Sequence, residues 1–432
     1  MTELKRTLGV FGAASISIGA IIGAGIFVLI GVASGLAGPA VVLSFIIAGF
    51  AAFLTALSSA ELSSFITEAG GSYIYTHKAF GKFWGFLVGW MQSFDYIVGA
   101  SAVSIGFAAY FAYFIGISST QGVIIVVGCL LPLFLMAVNL KGIKEASGTN
   151  NLLVGLKIIA LTLFIITGGY YLLSHGDFSN YHPFFPNGLG GALSGASIIF
   201  FAFVGFNTVT ILAEEVKSPE KNVPKAIMIA FVICTMLYIF VSVIAVGLVS
   251  WKVLGTSDAP LEDALKAATN NIFLLKFVSI SALFATASVV MSSIMGGSRA
   301  LFAMARQRVI PHLFSRISKN GIPTTTVLLS GIIIAIIVFA SKGNLDWLAS
   351  IFNFGTLMTY FFINLSVIML RNKMPDSDRT FKVPFYPLPP ILGVVSCFVL
   401  AFYLNINAVL FAAAWIVIGT AAYYYNKRNI ST

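Results

Sequence analysis

The residues able to do chemistry in this chain of 432 are few and widely spaced. Ser17-Ile18-Gly19-Ala20-Ile21-Ile22-Gly23-Ala24-Gly25-Ile26-Phe27 lies inside an apolar run and carries three glycines with small residues between them. Glycine lowers the cost of interrupting a helix. An interruption exposes backbone amides and a positive half-helix end, which together hold a carboxylate without any charged side chain. Close packing of small residues against a neighbouring helix is the other reading of the same pattern. A second interruption is written in Phe200-Phe201-Ala202-Phe203-Val204-Gly205-Phe206-Asn207-Thr208, where a glycine and then a polar pair break an apolar run. The charged groups well inside apolar runs, away from their ends, are Glu61, Asp95 and Lys157. Such groups are costly in lipid and mark a cavity or a partner. Asp95, followed by Tyr96, reads as a pocket residue or as a tie to a neighbouring polar group. Lys157 stands seven residues into its run, roughly 10 Å deep. It is either an internal ammonium that titrates or a side chain that snorkels back to the interface.

The elements that must position these groups are membrane spans. Hydrophobic residues make up 58% of the chain, charged ones 9%, and mean hydropathy is +0.97. A span needs roughly 20 apolar residues. Twelve candidates cover about 8–33, 39–66, 83–114, 121–140, 150–173, 190–213, 225–250, 273–303, 323–341, 346–370, 388–405 and 407–426. They are too long and unbroken for barrel strands. The first run exceeds the core of a secretory signal and reads as a retained span. The connections near 251–272 and 306–322 are too short for a soluble domain.

A net charge of +10 could suggest nucleic acid, but its distribution points to a membrane orientation and excludes that reading. With the N-terminus inside, twenty of the 25 Lys and Arg fall in inside segments. Only Lys252, Lys266, Lys276 and Lys342 fall outside, and Lys157 lies within a span. The excess of inside charge predicts a multi-pass cell-membrane protein with both termini cytoplasmic. Cys129, Cys234 and Cys397 sit in apolar runs without paired spacing and read as free thiols, with no metal site. The segment Glu68 to Gly81 reads as a short amphipathic inner loop in which His77 is interfacial. In the charged loop 213–225, Pro219 and Pro224 are expected to limit helix and set the start of the seventh span.

The two interruptions occupy corresponding positions, one at the head of spans 1–5 and one at the head of spans 6–10. The first span starts inside and the sixth starts outside. Corresponding breaks in halves of opposite orientation point to an inverted-repeat transporter with its site between them.

Four pieces resemble the amino acid–polyamine–organocation superfamily, especially its cationic-amino-acid-transporter-like branch. They are Ile21 to Phe27, Glu68-Ala69-Gly70-Gly71-Ser72-Tyr73, Phe201 to Pro224, and Gly296-Gly297-Ser298-Arg299 to Pro311. The resemblance spans essentially the whole chain. It implies an all-α polytopic membrane protein of twelve transmembrane helices in a leucine-transporter-like 5+5 inverted repeat. Helices 1 and 6 would be broken, and two C-terminal helices added. The divisions are 1–174 for the first repeat, 175–372 for the second and 373–432 for the last two helices and tail. It implies a substrate carboxylate on the amides of Ala24 and Gly25, an α-amine on the carbonyls of Ile21, Phe201 and Val204, and Phe201 as an aromatic gate. Lys157 matches a helix-5 lysine that in some sodium-independent members replaces sodium, near the carbonyls of Gly19 and Ile22, with Ser288 as a neighbour on helix 8. The chain departs from the family pattern at Ala24, where Ser or Thr is frequent, at Asn207, where many relatives carry an acid, and at Arg306-Gln307-Arg308, which lacks the usual acid–glycine pair.

These observations lead to a secondary active transporter that imports amino acids, mainly neutral ones, with protons by alternating access, and that uses no cofactor. A sodium-independent exchanger, with Lys157 as a permanent cation, and a cationic amino acid transporter stay open. An intramembrane enzyme would need clustered acids and histidines. Here His77, His175, His182 and His312 all fall in connecting segments. No ring of like residues suggests a channel filter. Candidate side-chain contacts are Asp95 and Tyr96, Phe203 and Asn207, Ser293, and Asn353.

Overall fold

The protein is described here from a computed structural model covering residues 6, 8–68, 70–141, 147–211, 213–306, 312–315 and 323–430. Residues 307–311 of the fourth family-like piece, Ala69 of the second, and the basic residues Lys5, Lys144, Arg308, Arg316 and Lys319 lie outside the described residues.

The described chain is helical. α1 spans Val10–Ile21, α2 Ile30–Ala37, α3 Val41–Phe65, α4 Ser72–Phe80, α5 Lys82–Ile115 and α6 Gln121–Leu140. α7 spans Ser147–His175, α8 Gly188–Ile199, α9 Thr208–Ile211, α10 Pro219–Leu248, α11 Trp251–Thr256 and α12 Pro260–Ala268. α13 spans Ile272–Arg306, α14 Thr324–Ala340, α15 Leu345–Lys373, α16 Leu388–Phe402 and α17 Ile406–Ile430. Among the described residues, nine helical stretches are long and apolar enough to cross a membrane. The first, Val10–Phe65, is 56 residues long and turns at Gly38, whose φ is +67°. α14 and α16, at 17 and 15 residues, are apolar but shorter. Apolar helices in this number make the chain a polytopic membrane protein, because only helices and closed barrels satisfy their backbone in lipid.

α5 is the central helix, packing against α13, α15, α6 and α14. α3 packs on α10 and α8, and α1 runs between α10, α7 and α13. Two sequence expectations change here. The inner segment after the second span holds a helix, α4, packed on α5 and α15. Of the prolines in loop 213–225, Pro219 does set the start of the seventh span, since α10 begins there, but Pro224 does not limit helix, since α10 runs through it. Pro219 occupies the first helical position, where no backbone donor is missed.

Polar side chains tie the helices together. Ser58 Oγ donates to Asn364 Oδ1 at 2.7 Å, and Asn364 Nδ2 donates to Thr55 Oγ1 at 2.9 Å, joining α3 to α15. Glu61, 1% exposed, accepts from Arg371 Nε at 2.7 Å and Nη2 at 2.6 Å, and from the Val383 N–H at 2.6 Å. Arg379 Nε stands 3.5 Å away. This fork-on-carboxylate geometry is the strong form of an ion pair. Removing the carboxylate strands guanidinium charge beside a buried surface, at about 3–5 kcal/mol. Glu61→Ala is therefore expected to lower the melting temperature of detergent-solubilised protein sharply, whereas Glu61→Ala combined with Arg371→Met recovers part of the loss. Unchanged melting of the single variant would remove the assignment.

Candidate functional site

The site is built from two interrupted helices. α1 ends where Ile22 leaves helical backbone (φ −76°, ψ 97°), its N–H closing on the Ile18 carbonyl. The chain resumes as a π-helical turn over Gly25–Leu29 and continues into α2. α8 tightens into a 3-10 turn over Phe200–Phe203, and Val204 is then extended (φ −77°, ψ 142°). Gly205 follows with φ +122°, a region that only glycine enters cheaply, before α9 begins.

The two interruptions interlock. A β-carbon on Gly25 would stand 2.4 Å from Ala202 Cα, and one on Gly205 would stand 2.8 Å from the carbonyl carbon of Ala20. Each glycine thus lets one broken helix lie directly on the backbone of the other. Gly23 faces α13, where a β-carbon would meet Val289 at 2.9 Å.

A break inside lipid leaves carbonyls without their helical donors, and something must satisfy them. Tyr238 Oη donates to the Ile21 carbonyl at 2.9 Å, and Tyr110 Oη to the Phe27 carbonyl at 2.8 Å. Ser17 Oγ donates to the Phe206 carbonyl at 3.1 Å, crossing from one break to the other. Asn353 Nδ2 donates to the carbonyls of Ser197 at 2.6 Å and Ile198 at 3.1 Å. Lys157 Nζ donates to the Gly19 carbonyl at 2.9 Å and to Ser288 Oγ at 3.0 Å, so a single ammonium joins α7, α1 and α13. At 1% exposure Lys157 is turned into the bundle, not out along its own helix. Tyr238 and Tyr110 were not singled out from the sequence, and Ser17 only as the first residue of the glycine-rich stretch; hydroxyls inside apolar runs were the available signal.

The remaining sequence candidates scatter around this core. Phe201 is 8% exposed and meets the Phe352 ring. Its carbonyl accepts from the Val204 N–H at 3.3 Å. The Asn207 side-chain amide has no partner among the described residues. Ser293 is half-buried on α13. Phe203 packs among Phe45, Phe231 and Tyr238 on α3 and α10. Asp95 faces α15: Thr356 Oγ1 donates to its Oδ2 at 3.3 Å, its Oδ1 has no partner among the described residues, and Gly355 lies against it. Tyr96 lays its ring on Gly296 of α13, with its β-carbon against Gly297. Asn353, with its amide on the α8 carbonyls, is a cap for the second break.

At the other end of α5, Tyr113 donates to Asp263 of α12 and accepts from Lys266, and Ser257 Oγ donates to Asp263 Oδ2 at 2.5 Å. Glu262 lies buried beside them, and burial pushes its carboxyl from the usual 4.5 up to about 7, with Lys266 pulling the other way and Asp263 adding to the rise. A folded carboxyl that keeps its proton to higher pH than the unfolded one destabilises the fold progressively as pH rises from about 4.5 to about 7. Glu262→Gln is expected to raise the melting temperature at pH 8 and to leave it unchanged near pH 4.5, in a thermal denaturation series. An equal shift at both pH values would count against a buried carboxylate there.

Comparison with known proteins agrees with this architecture. The family model described as "Amino acid permease" matches residues 8–425. A branched-chain amino acid permease of Bacillus subtilis is 35% identical over 446 residues, covering 99% of this chain and 94% of the relative. A methylthioribose transporter of the same organism is 34% identical, covering 99% and 95%. A vacuolar cationic amino acid transporter, number 4, of Arabidopsis thaliana is 34% identical, covering 87% of this chain and 64% of the relative. With paired broken helices locked on each other inside an all-helical membrane bundle, and a family match over nearly its whole length, the chain belongs to the amino acid permease family of the amino acid–polyamine–organocation superfamily.

Proposed function

We propose that this protein is a proton-coupled amino acid importer working by alternating access, with neutral, chiefly apolar side chains as its main substrates. Its fold is then twelve spans in a 5+5 inverted repeat, divided at 1–174, 175–372 and 373–432, with both termini cytoplasmic in the cell membrane. The observation that carries the reading is the Lys157 ammonium, which holds the Gly19 carbonyl and Ser288 Oγ next to two interlocked helix breaks. Protonated, it ties the first half of the broken helix to α13. Deprotonated, it loses the charge that strengthens both bonds. The tie then weakens, and α1 is free to move relative to α13. The amides of Ala24 and Gly25 take the substrate carboxylate. The carbonyls of Ile21, Phe201 and Val204 take its amine, and Phe201 closes over it.

The similarity to a branched-chain amino acid permease supports neutral substrates, and the similarity to a cationic amino acid transporter keeps lysine among the probes. A second reading rests on the methylthioribose transporter, which is almost as similar over as much of the chain. That sugar has no carboxylate to place on the exposed amides. The test is uptake of labelled leucine, alanine, lysine and methylthioribose into proteoliposomes, with and without an inward proton gradient. Gradient-driven leucine accumulation is the expected result. Accumulation of methylthioribose alone overturns the substrate assignment, and leucine exchange indifferent to the gradient overturns the proton coupling.

A further inference from the structure

Of the four phenylalanines in the second break, Phe200, Phe203 and Phe206 are at most 1% exposed, and only Phe201 keeps an open edge, at 8%. Its ring partner is not another residue of the break. It is Phe352 of α15, also 8% exposed, with ring centroids 4.3 Å apart and planes inclined by 44°. The Phe352 ring in turn lies on α5 where α5 has no side chain: a β-carbon on Gly99 would stand 2.8 Å from Phe352 Cε2 and 2.9 Å from Cδ2. One helical turn away on the same two helices, Asp95 and Thr356 are hydrogen-bonded. α5 and α15 are therefore pinned at one level and shaped to receive an aromatic ring at the next. A full-sized ring laid on a bare glycine at a helix crossing is a slot of defined depth.

We propose that Phe352 is the second leaf of the gate. It closes at a tilt against Phe201 over the bound substrate and leaves with it when the site opens, and Gly99 is the slot that receives its ring in the closed state. The proposal rests on the transport reading above and adds two residues to it. Both leaves are apolar, so the pair also presents the site with a surface suited to apolar side chains and offers nothing to a charged one. Gly99 matters through space alone: any β-carbon lifts the Phe352 ring, and the lifted ring cannot meet Phe201 at its closed distance.

The test compares Gly99→Ala, Phe352→Leu and the double variant in leucine-loaded and empty proteoliposomes, measuring leucine uptake rate and equilibrium leucine binding separately. Gly99→Ala is expected to slow uptake about tenfold or more while binding changes less than about threefold. Adding Phe352→Leu, which shortens the side chain that the new methyl obstructs, is expected to return uptake to the level of Phe352→Leu alone. Losses that multiply in the double variant, or an unaffected Gly99→Ala, overturn the shared slot. A second measurement does not depend on how well Gly99→Ala folds. With Cys129, Cys234 and Cys397 replaced by alanine, Phe352→Cys should react with a membrane-impermeant thiol reagent, and saturating leucine should slow the reaction at least fivefold. Reaction at the same rate with and without leucine, or no reaction at all, overturns the moving leaf. Absence of leucine uptake by the unmodified protein counts against the transport reading, whereas normal uptake by Gly99→Ala counts against the gate alone.

Discussion

Replacing Lys157 with alanine is expected to abolish concentrative uptake. If one proton enters with each substrate, an inward gradient of one pH unit is worth about 1.4 kcal/mol and sustains about tenfold accumulation. The alanine variant should fall to no accumulation, because the group linking α7 to the Gly19 carbonyl and Ser288 is gone. Lys157→Arg keeps charge but holds its proton permanently, and its planar fork does not reproduce a compact ammonium. It too should fail to concentrate leucine. A lysine acting only as a fixed cation between the helices gives another pattern: the unmodified protein would exchange leucine without response to the gradient. Initial-rate and steady-state uptake in proteoliposomes, for the unmodified protein and both variants under the same gradient, separates these cases. Gradient-driven accumulation by Lys157→Ala would end the coupling assignment.

The second large effect is at Gly25. The contact that a side chain would make there is with backbone: 2.4 Å to Ala202 Cα and 2.5 Å to Ala202 Cβ. Backbone cannot rotate aside as a side chain can, so the two breaks must separate. Overpacking costs of about 1–3 kcal/mol correspond to roughly 5–150-fold in an equilibrium constant. Gly25→Ala is expected to weaken leucine binding by about that factor, and Gly25→Leu to abolish it. Ala202→Gly should rescue little, because it removes the β-carbon but leaves the α-carbon in the way. Leucine binding to solubilised protein, with a melting curve to show that each variant is folded, provides the check. Unchanged affinity in a folded Gly25→Leu would move the carboxylate site elsewhere.

Much of the architecture was legible in the residues. Hydropathy alone marks the chain as polytopic, because lipid admits few backbone solutions. The run limits at 83–114 and 121–140 fall within a residue of α5 and α6. Glycine spacing marked both interruptions, since only glycine makes a break inexpensive and Gly205 does take a φ of +122°. A lone lysine in an apolar run drew attention to Lys157 for the same reason that it is rare there.

What stayed hidden was which face each helix turns to which neighbour. A soluble helix shows its inner face by alternation with polar residues, but a span is apolar all round and shows none. Asp95, read as a pocket residue or a tie, meets Thr356 of α15. Asn353 reaches the carbonyls of Ser197 and Ile198, and Phe203 joins the Phe45–Phe231–Tyr238 cluster. Carbonyl acceptors carry no sequence signal, because every residue has one. Tyr110, Tyr238 and Ser17 therefore became visible as their partners only when the chain was folded. Composition and glycine spacing decided that this chain crosses a membrane with two broken helices. Only tertiary packing, between residues far apart in the chain, decided what satisfies those breaks and which rings meet above them.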